Sequence, residues 1–213
     1  PAVDEPWHFI NPDDPNDTAL LEMIDGHIGN LARALRTNNS ERAAFEAAWM
    51  AHAITDGLTP AHHFPLEQAM AELRGGEGLE TRTSILKKNL MKGDNGIELI
   101  KNNWKFWGAK GMMTTHVAFE AGVASVVAYP RFKDAIPSDD DILQVKNHGY
   151  REYYLDQVHA VASMKMYDNF IKSGWTTDLA WQTNHELMPI IIKSVMLGWL
   201  ASVWKLEAEK SES

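Results

Sequence analysis

The chain has 213 residues, a formal charge of −9 and no cysteine. That length can bury a sizeable core without covalent staples. The missing thiols rule out disulfides and thiolate metal sites, and the acidic balance argues against broad electrostatic binding to a nucleic acid backbone. A local cationic site, such as one made by bound metal, could still take an anion. Eight Trp and ten Met point to a bulky, well-filled interior.

The first stretch, PAVDEPWHFINPDDPND, holds four prolines and five acids and reads as an extended, turn-rich opening. From Thr18 to Leu35 apolar residues recur at helical spacing: Leu20, Leu21, Ile24, Ile28, Leu31 and Leu35. RTNNS is a turn, with Asn39 or Ser40 capping a second helix. Phe45, Trp49, His52 and Asp56 share one face of that helix and are expected to point inward. Pro60 and Pro65 end the regular pattern. Residues 66–73 form a short helix, RGGEG a loop, and residues 79–107 one or two helices around the KGDNG break. KGMMTTHVAFEAGVASVVAYP is a helix closed by Pro130.

PSDDDILQ contains a capping-box pattern, Ser138 to Asp141, expected to open one long helix from about residue 139 to 172. SGWTT is a turn. A last helix spans about 177–208, with Pro189 as its kink or break. Its most apolar part, LMPIIIKSVMLGWLASVW, is interrupted by Lys193, which leaves too short a run between charges for a transmembrane segment. No signal-peptide pattern, period-2 strand pattern or internal repeat stands out. The expected architecture is all-α, a compact bundle of about six or seven helices forming one domain over residues 1–213. The chain begins with Pro1 rather than Met, so the expectation is a trimmed product with room for an upstream segment.

Chemistry concentrates in AWMAHAITDGLTPAHHFP, residues 48–65. A lone His and Asp at i and i+4 is most often a surface pair or a satisfied core pair. His52 and Asp56, however, continue the stripe begun by Phe45 and Trp49, and a buried carboxylate without a cation is costly. A metal ion is one natural compensation. THVAFE repeats the geometry with His116 and Glu120. His62 follows Asp56 just past the helix end, and His8 lies between Trp7 and Phe9. Four imidazoles and two carboxylates, without thiolate, suit zinc, with iron or manganese as alternatives.

His52-x-x-Thr55-Asp56-x-x-x-Pro60-x-His62 resembles the signature of the zinc-dependent phospholipase C and fungal single-strand-specific nuclease superfamily. WHFINPDDPND resembles that superfamily's earlier His-Phe segment, and THVAFE its later His-x-x-x-Asp/Glu pair, in the same order over roughly residues 7–127. The resemblance implies that His8, His52 and Asp56 hold one zinc, with Asp56 able to bridge to a neighbour, and that His62, His116 and Glu120 hold a second. It also implies phosphate-ester hydrolysis by metal-activated water, with Asp56 closest to the chemistry. The implied substrate is a small phosphate ester or a phospholipid head group; a nucleic acid is less favoured by the net charge. A secreted or periplasmic location is implied as well. The family's N-terminal Trp, early His and further Asp have no match here: Pro1 is not Trp, and Asp4 lies too close to His8. Either an upstream part completes a cluster of up to three zincs, or this is a reduced member with two or fewer. The alternative function is a metal-binding structural or interaction module of the same fold that has lost catalysis.

The other histidines have plainer expectations. His27 is a surface or packing residue, and His63 is solvent-facing unless it supports a ligand. His148 and Glu152 form a further i, i+4 pair in polar surroundings, and His159 either faces the cleft or donates to a backbone carbonyl. His185 sits near a helix start. The Trp and Met stripes are most simply core. No Gly-rich phosphate loop, no G-x-S-x-G elbow and no paired Glu-x-x-His motifs are present.

Overall fold

The computed structural model of the protein describes residues 8–64, 66–78, 89–128 and 135–211, with Thr81, Thr83, Ser84, Lys87 and Phe132 between them. It is all-helical, with no strand among the described residues. In chain order the elements are α1 (Ala19–Arg36), α2 (Ser40–Gly57), a 3₁₀ turn (Pro60–His63), α3 (Leu66–Leu73), α4 (Gly96–Trp107) and α5 (Met112–Val127). Then come α6 (Asp139–His148), α7 (Tyr150–Ser163), α8 (Met166–Ser173), α9 (Thr177–Gln182), a π turn (Thr183–Leu187) and α10 (Met188–Ser211). The readings of residues 1–7, of most of 79–88 and of Pro130 lie outside the described residues.

Helix starts follow side-chain chemistry. Asn39 accepts from the Arg42 amide at 3.0 Å, and Asn95 accepts from the Ile97 and Glu98 amides. Both halves of the Ser138–Asp141 capping box form. The single helix expected over 139–172 is instead three. Gly149, at φ +89°, separates α6 from α7, and Lys165, at φ +51°, separates α7 from α8. A positive φ cannot continue a right-handed helix. Glycine announces such a break in sequence, whereas a left-handed lysine does not. Pro189 does not end the last helix. The π turn immediately before it relieves the clash its ring would make with the preceding turn.

The main core lies where α1, α2, α7 and α10 meet. Leu20, Leu21, Ile24, Ile28 and Leu31 of α1 face Met50, Ala53 and Ile54 of α2. Tyr150, Tyr153, Tyr154 and Val158 of α7 close the space, each large side chain stabilising by about 1.5–3 kcal/mol. The α1 stripe ends one turn early, since Leu35 is exposed. The buried face of α2 is Glu46, Met50, Ala53, Ile54 and Gly57. The expected inward stripe is therefore corrected: Phe45 and His52 are exposed, and Trp49 and Asp56 lie at the boundary. The Trp expectation holds only in part: Trp175 and Trp204 are partly buried against the main core, but no Trp among the described residues is fully buried, whereas Met50, Met91 and Met166 are.

By length and composition the continuous helical run Thr177–Ala208 is long and apolar enough to cross a bilayer, and a third (33%) of its most apolar window is buried inside the protein. The single Lys193 within it does not bring it below that composition; its ammonium pairs with Asp141 at 3.0 Å. Leu187, Ile191 and Leu197 pack it into the main core.

Candidate metal centre

The centre is built on the C-terminal end of α2. Thr55 Oγ1 donates to the Ala51 carbonyl at 2.8 Å, keeping the last turn helical. Tyr154 Oη donates to the Ile54 carbonyl at 3.2 Å. Gly57 permits that approach, since a Cβ there would lie 2.2 Å from the Tyr154 hydroxyl. Beyond Gly57 the chain reverses. Thr59 N donates to the Asp56 carbonyl at 2.9 Å, and His62 N to the Thr59 carbonyl at 2.8 Å. Pro60 opens the 3₁₀ turn, which folds His62 back under Asp56.

The opening segment is tied to this turn by Ile10 N donating to the His62 carbonyl at 3.2 Å, and that bond places His8 over the end of α2. His8 Nδ1 and His52 Nε2, the latter at 3.1 Å, both converge on Asp56 Oδ2. On the other side α5 presents His116 and Glu120 one turn apart. His62 Nε2 and His116 Nε2 each lie 3.2 Å from Glu120 Oε1. The His62 and His116 rings stack nearly parallel, with centroids 5.1 Å apart. Phe9 lies 5.1 Å from His62 and 6.4 Å from His116, a hydrophobic wall on that side.

The six residues singled out from sequence thus form two groups, His8–His52–Asp56 and His62–His116–Glu120, with ligand atoms in each group all within 4.8 Å of one another. Either group could hold a metal ion. The groups adjoin: His62 Nδ1 lies 3.8 Å from Asp56 Oδ1 and donates to the Asp56 carbonyl at 3.0 Å. That donation decides the chemistry of the other nitrogen. With its proton on Nδ1, a neutral His62 turns an Nε2 lone pair toward the Glu120 carboxylate. Two facing electron pairs repel, and a cation between them reverses the sign. A ring fixed through Nδ1 to a carbonyl with Nε2 free is the arrangement that metal-bound imidazoles adopt.

Burial is graded across the centre. His62 and His116 are buried, the Asp56 side chain is 13% exposed, and those of His52 and Glu120 are 47% and 44% exposed. The centre opens to solvent along α2 and α5, because the His52 face of α2 is not the core face. The Glu120 carboxyl is held down at about 2, first by the His116 hydrogen bond, then by that of His62, with burial opposing. Tyr167 is pushed up to about 12 by burial and then by the Glu120 charge.

The remaining histidines fall into place around this centre. His63 does not face solvent: Nε2 donates to the Gly57 carbonyl at 2.9 Å, and burial lowers its pKa from the ordinary imidazole value. It lines a cleft of about 220 Å³, with Pro12, Pro60, Val161 and Tyr167, that none of the six candidate ligands lines. His159 donates to the Pro12 carbonyl at 3.1 Å. His148 and Glu152 are both exposed and 3.8 Å apart across the α6–α7 break. His185 sits within the π turn rather than at a helix start, bonded to the Trp181 carbonyl at 2.8 Å. His27 is neither a surface nor a simple packing residue: its Nδ1 meets Glu46 Oε2 at 2.5 Å, and Arg42 pairs with the same fully buried carboxylate. Sequence inspection did not find Tyr154 and Gly57 as supports of the centre; they lie almost a hundred residues apart and share no pattern.

Comparison with protein-family models, with curated proteins and with solved structures gave no match.

Proposed function

We propose that the chain is a zinc-dependent hydrolase of phosphate esters, of the kind its motifs resemble. His8, His52 and Asp56 would hold one zinc, and His62, His116 and Glu120 a second. The observation that supports this reading most is the pair of adjoining three-ligand groups on the solvent-facing rim of the bundle. Structural zinc sites are closed by four protein ligands, whereas catalytic ones supply three and leave a position open. The same count weighs against a purely structural module. Bound zinc makes coordinated water acidic and neutralises charge developing on phosphoryl oxygens.

The chain's own residues do the positioning. The Asp56 carboxylate gathers His8 and His52 through one oxygen and keeps the other beside His62, which is how it could serve both ions. The Asp56 carbonyl fixes the His62 ring, so Nε2 stays aimed at the second group. Glu120 is ionised throughout the neutral range and needs no proton loss to ligate. Phe9 keeps water off one side of His62 and His116, and the exposed edges of His52 and Glu120 leave an approach for an anionic ester. The substrate fitting this reading is a small phosphate ester or a phospholipid head group.

Turnover of bis-p-nitrophenyl phosphate or p-nitrophenyl phosphorylcholine tests the assignment. Activity lost on chelation, restored by zinc and abolished by Asp56→Asn is expected. Protein that binds two zincs yet hydrolyses neither ester would favour the structural module instead.

A further inference from the structure

Helix α4 is amphipathic in an unusual sense: it has two apolar faces. One is turned inward through Phe106, which is 1% exposed and packs with Met70 and Met91. The other consists of Ile97, Ile100, Trp104 and Trp107, which at 3.6 residues per turn fall on one strip roughly opposite Phe106. These four are 82%, 70%, 71% and 45% exposed. The outward orientation is fixed by polar anchors. The Asn102 side chain donates to the Leu73 and Lys92 carbonyls, and Asn103 to the Met91 and Leu99 carbonyls. Trp107 Nε1 donates to the Asn89 carbonyl at 2.7 Å, leaving much of its ring face to solvent.

Charge distinguishes this segment from the rest of the chain. Residues 87–110 carry six lysines and two acids, whereas the whole chain carries −9. Lys101 and Lys105 flank the apolar strip on its polar side, Lys110 follows the helix, and all three are exposed. A short helix with Trp and Ile on one face, lysines beside them and few acids is the composition that lies in the plane of a bilayer interface. Anionic head groups would meet the lysines, and the indoles would sit at head-group depth.

We propose that α4 is a docking face for an anionic phospholipid bilayer. This deepens the hydrolase reading and rests on it for its purpose. α4 runs through Gly108–Gly111 into α5, which carries His116 and Glu120. Met112, Met113 and Phe9 join Phe106 in one small apolar cluster. The docking helix is therefore packed against the helix that carries the second metal group. A protein seated on lipid through Ile97, Ile100 and Trp104 would stay at the surface that carries phospholipid substrates.

Flotation with vesicles of phosphatidylcholine and phosphatidylserine, in EDTA and again in zinc, tests the docking apart from catalysis. The full chain is expected to float with the mixed vesicles in both buffers and only weakly with pure phosphatidylcholine. Ile97→Ser/Ile100→Ser/Trp104→Ser should lower partitioning at least about tenfold, as should Lys101→Glu/Lys105→Glu, whose effect disappears in high salt. Both variants should keep wild-type helicity and wild-type hydrolysis of soluble bis-p-nitrophenyl phosphate, because the changed side chains lie outside the centre. Failure of the ester assay with intact flotation would remove the hydrolase reading and leave the docking face standing. Absence of flotation, flotation unaffected by the Ile/Trp triple variant, or equal flotation on neutral lipid would overturn the proposal. So would a dimer that the triple variant dissociates, which would assign the strip to a second copy.

Discussion

Zinc added to metal-free protein should raise its melting temperature, and His116→Ala should remove about half of that rise. His116 is buried, stacks on His62 at 5.1 Å and reaches Glu120 at 3.2 Å. Without its ring the second group retains one imidazole and a half-exposed carboxylate, too few to close on an ion. A ligand held only by the folded state at a hundred times its dissociation constant stabilises by about 2.7 kcal/mol. For a chain of this size each kcal/mol is worth about 2–4 °C. Each filled site therefore adds about 5–11 °C, and the variant forfeits one such increment. In EDTA the loss is smaller, about 1 kcal/mol for the hydrogen bond, since Glu120 can rehydrate. Calorimetry in EDTA and in zinc, with elemental analysis, reads both effects, and the zinc content should fall from two per chain to one. A variant that still binds two zincs, or a wild-type melting temperature indifferent to zinc, would refute the assignment.

Gly57→Ala should destabilise by about 1–3 kcal/mol, because the added methyl meets the Tyr154 hydroxyl and Leu20 at 2.2 and 2.4 Å; chemical denaturation with an unchanged m-value would show it. Metal-free protein should lose the contribution of Glu120 as pH falls from about 4.5 toward 2, because the folded-state value lies below the ordinary one. Glu120→Gln should flatten the stability profile in that window, and a Glu120 carboxyl titrating near 4.5 by NMR would contradict it. His27→Ala should cost about 3 kcal/mol, since it leaves the buried Glu46 with Arg42 as its remaining partner; a loss within error of zero would show that Arg42 suffices.

Much of the scaffold is legible in the sequence. Offsets of apolar residues locate α1, and Asn39 and Ser138 mark helix starts. Helical spacing pairs His52 with Asp56 and His116 with Glu120, and His62 follows Pro60 just past the helix end; His8 stands out by its aromatic flanks, and the grouping into two sites comes from the family resemblance. Other features had no local signature. The orientation of α2 depends on Glu46 being neutralised by His27, a partner nineteen residues earlier on another helix. A buried glutamate and an exposed phenylalanine invert the usual hydrophobic rule, so apolar patterning places the inward face one strip too far round. The α7–α8 break turns on Lys165 adopting a left-handed backbone, which composition does not disclose. The exposed Trp side chains of α4 look like core residues in sequence, because periodicity alone cannot tell an inward apolar face from an outward one.

The peptide carbonyl of Asp56 and the ring of His62 form a hinge pin common to both halves of the centre. Settling an ion among His8, His52 and Asp56 immobilises the stretch that also aims His62. The entropy of ordering that stretch is then spent once. Occupancy of the two positions should accordingly rise together, giving a titration steeper than two independent events and few singly loaded molecules at half saturation.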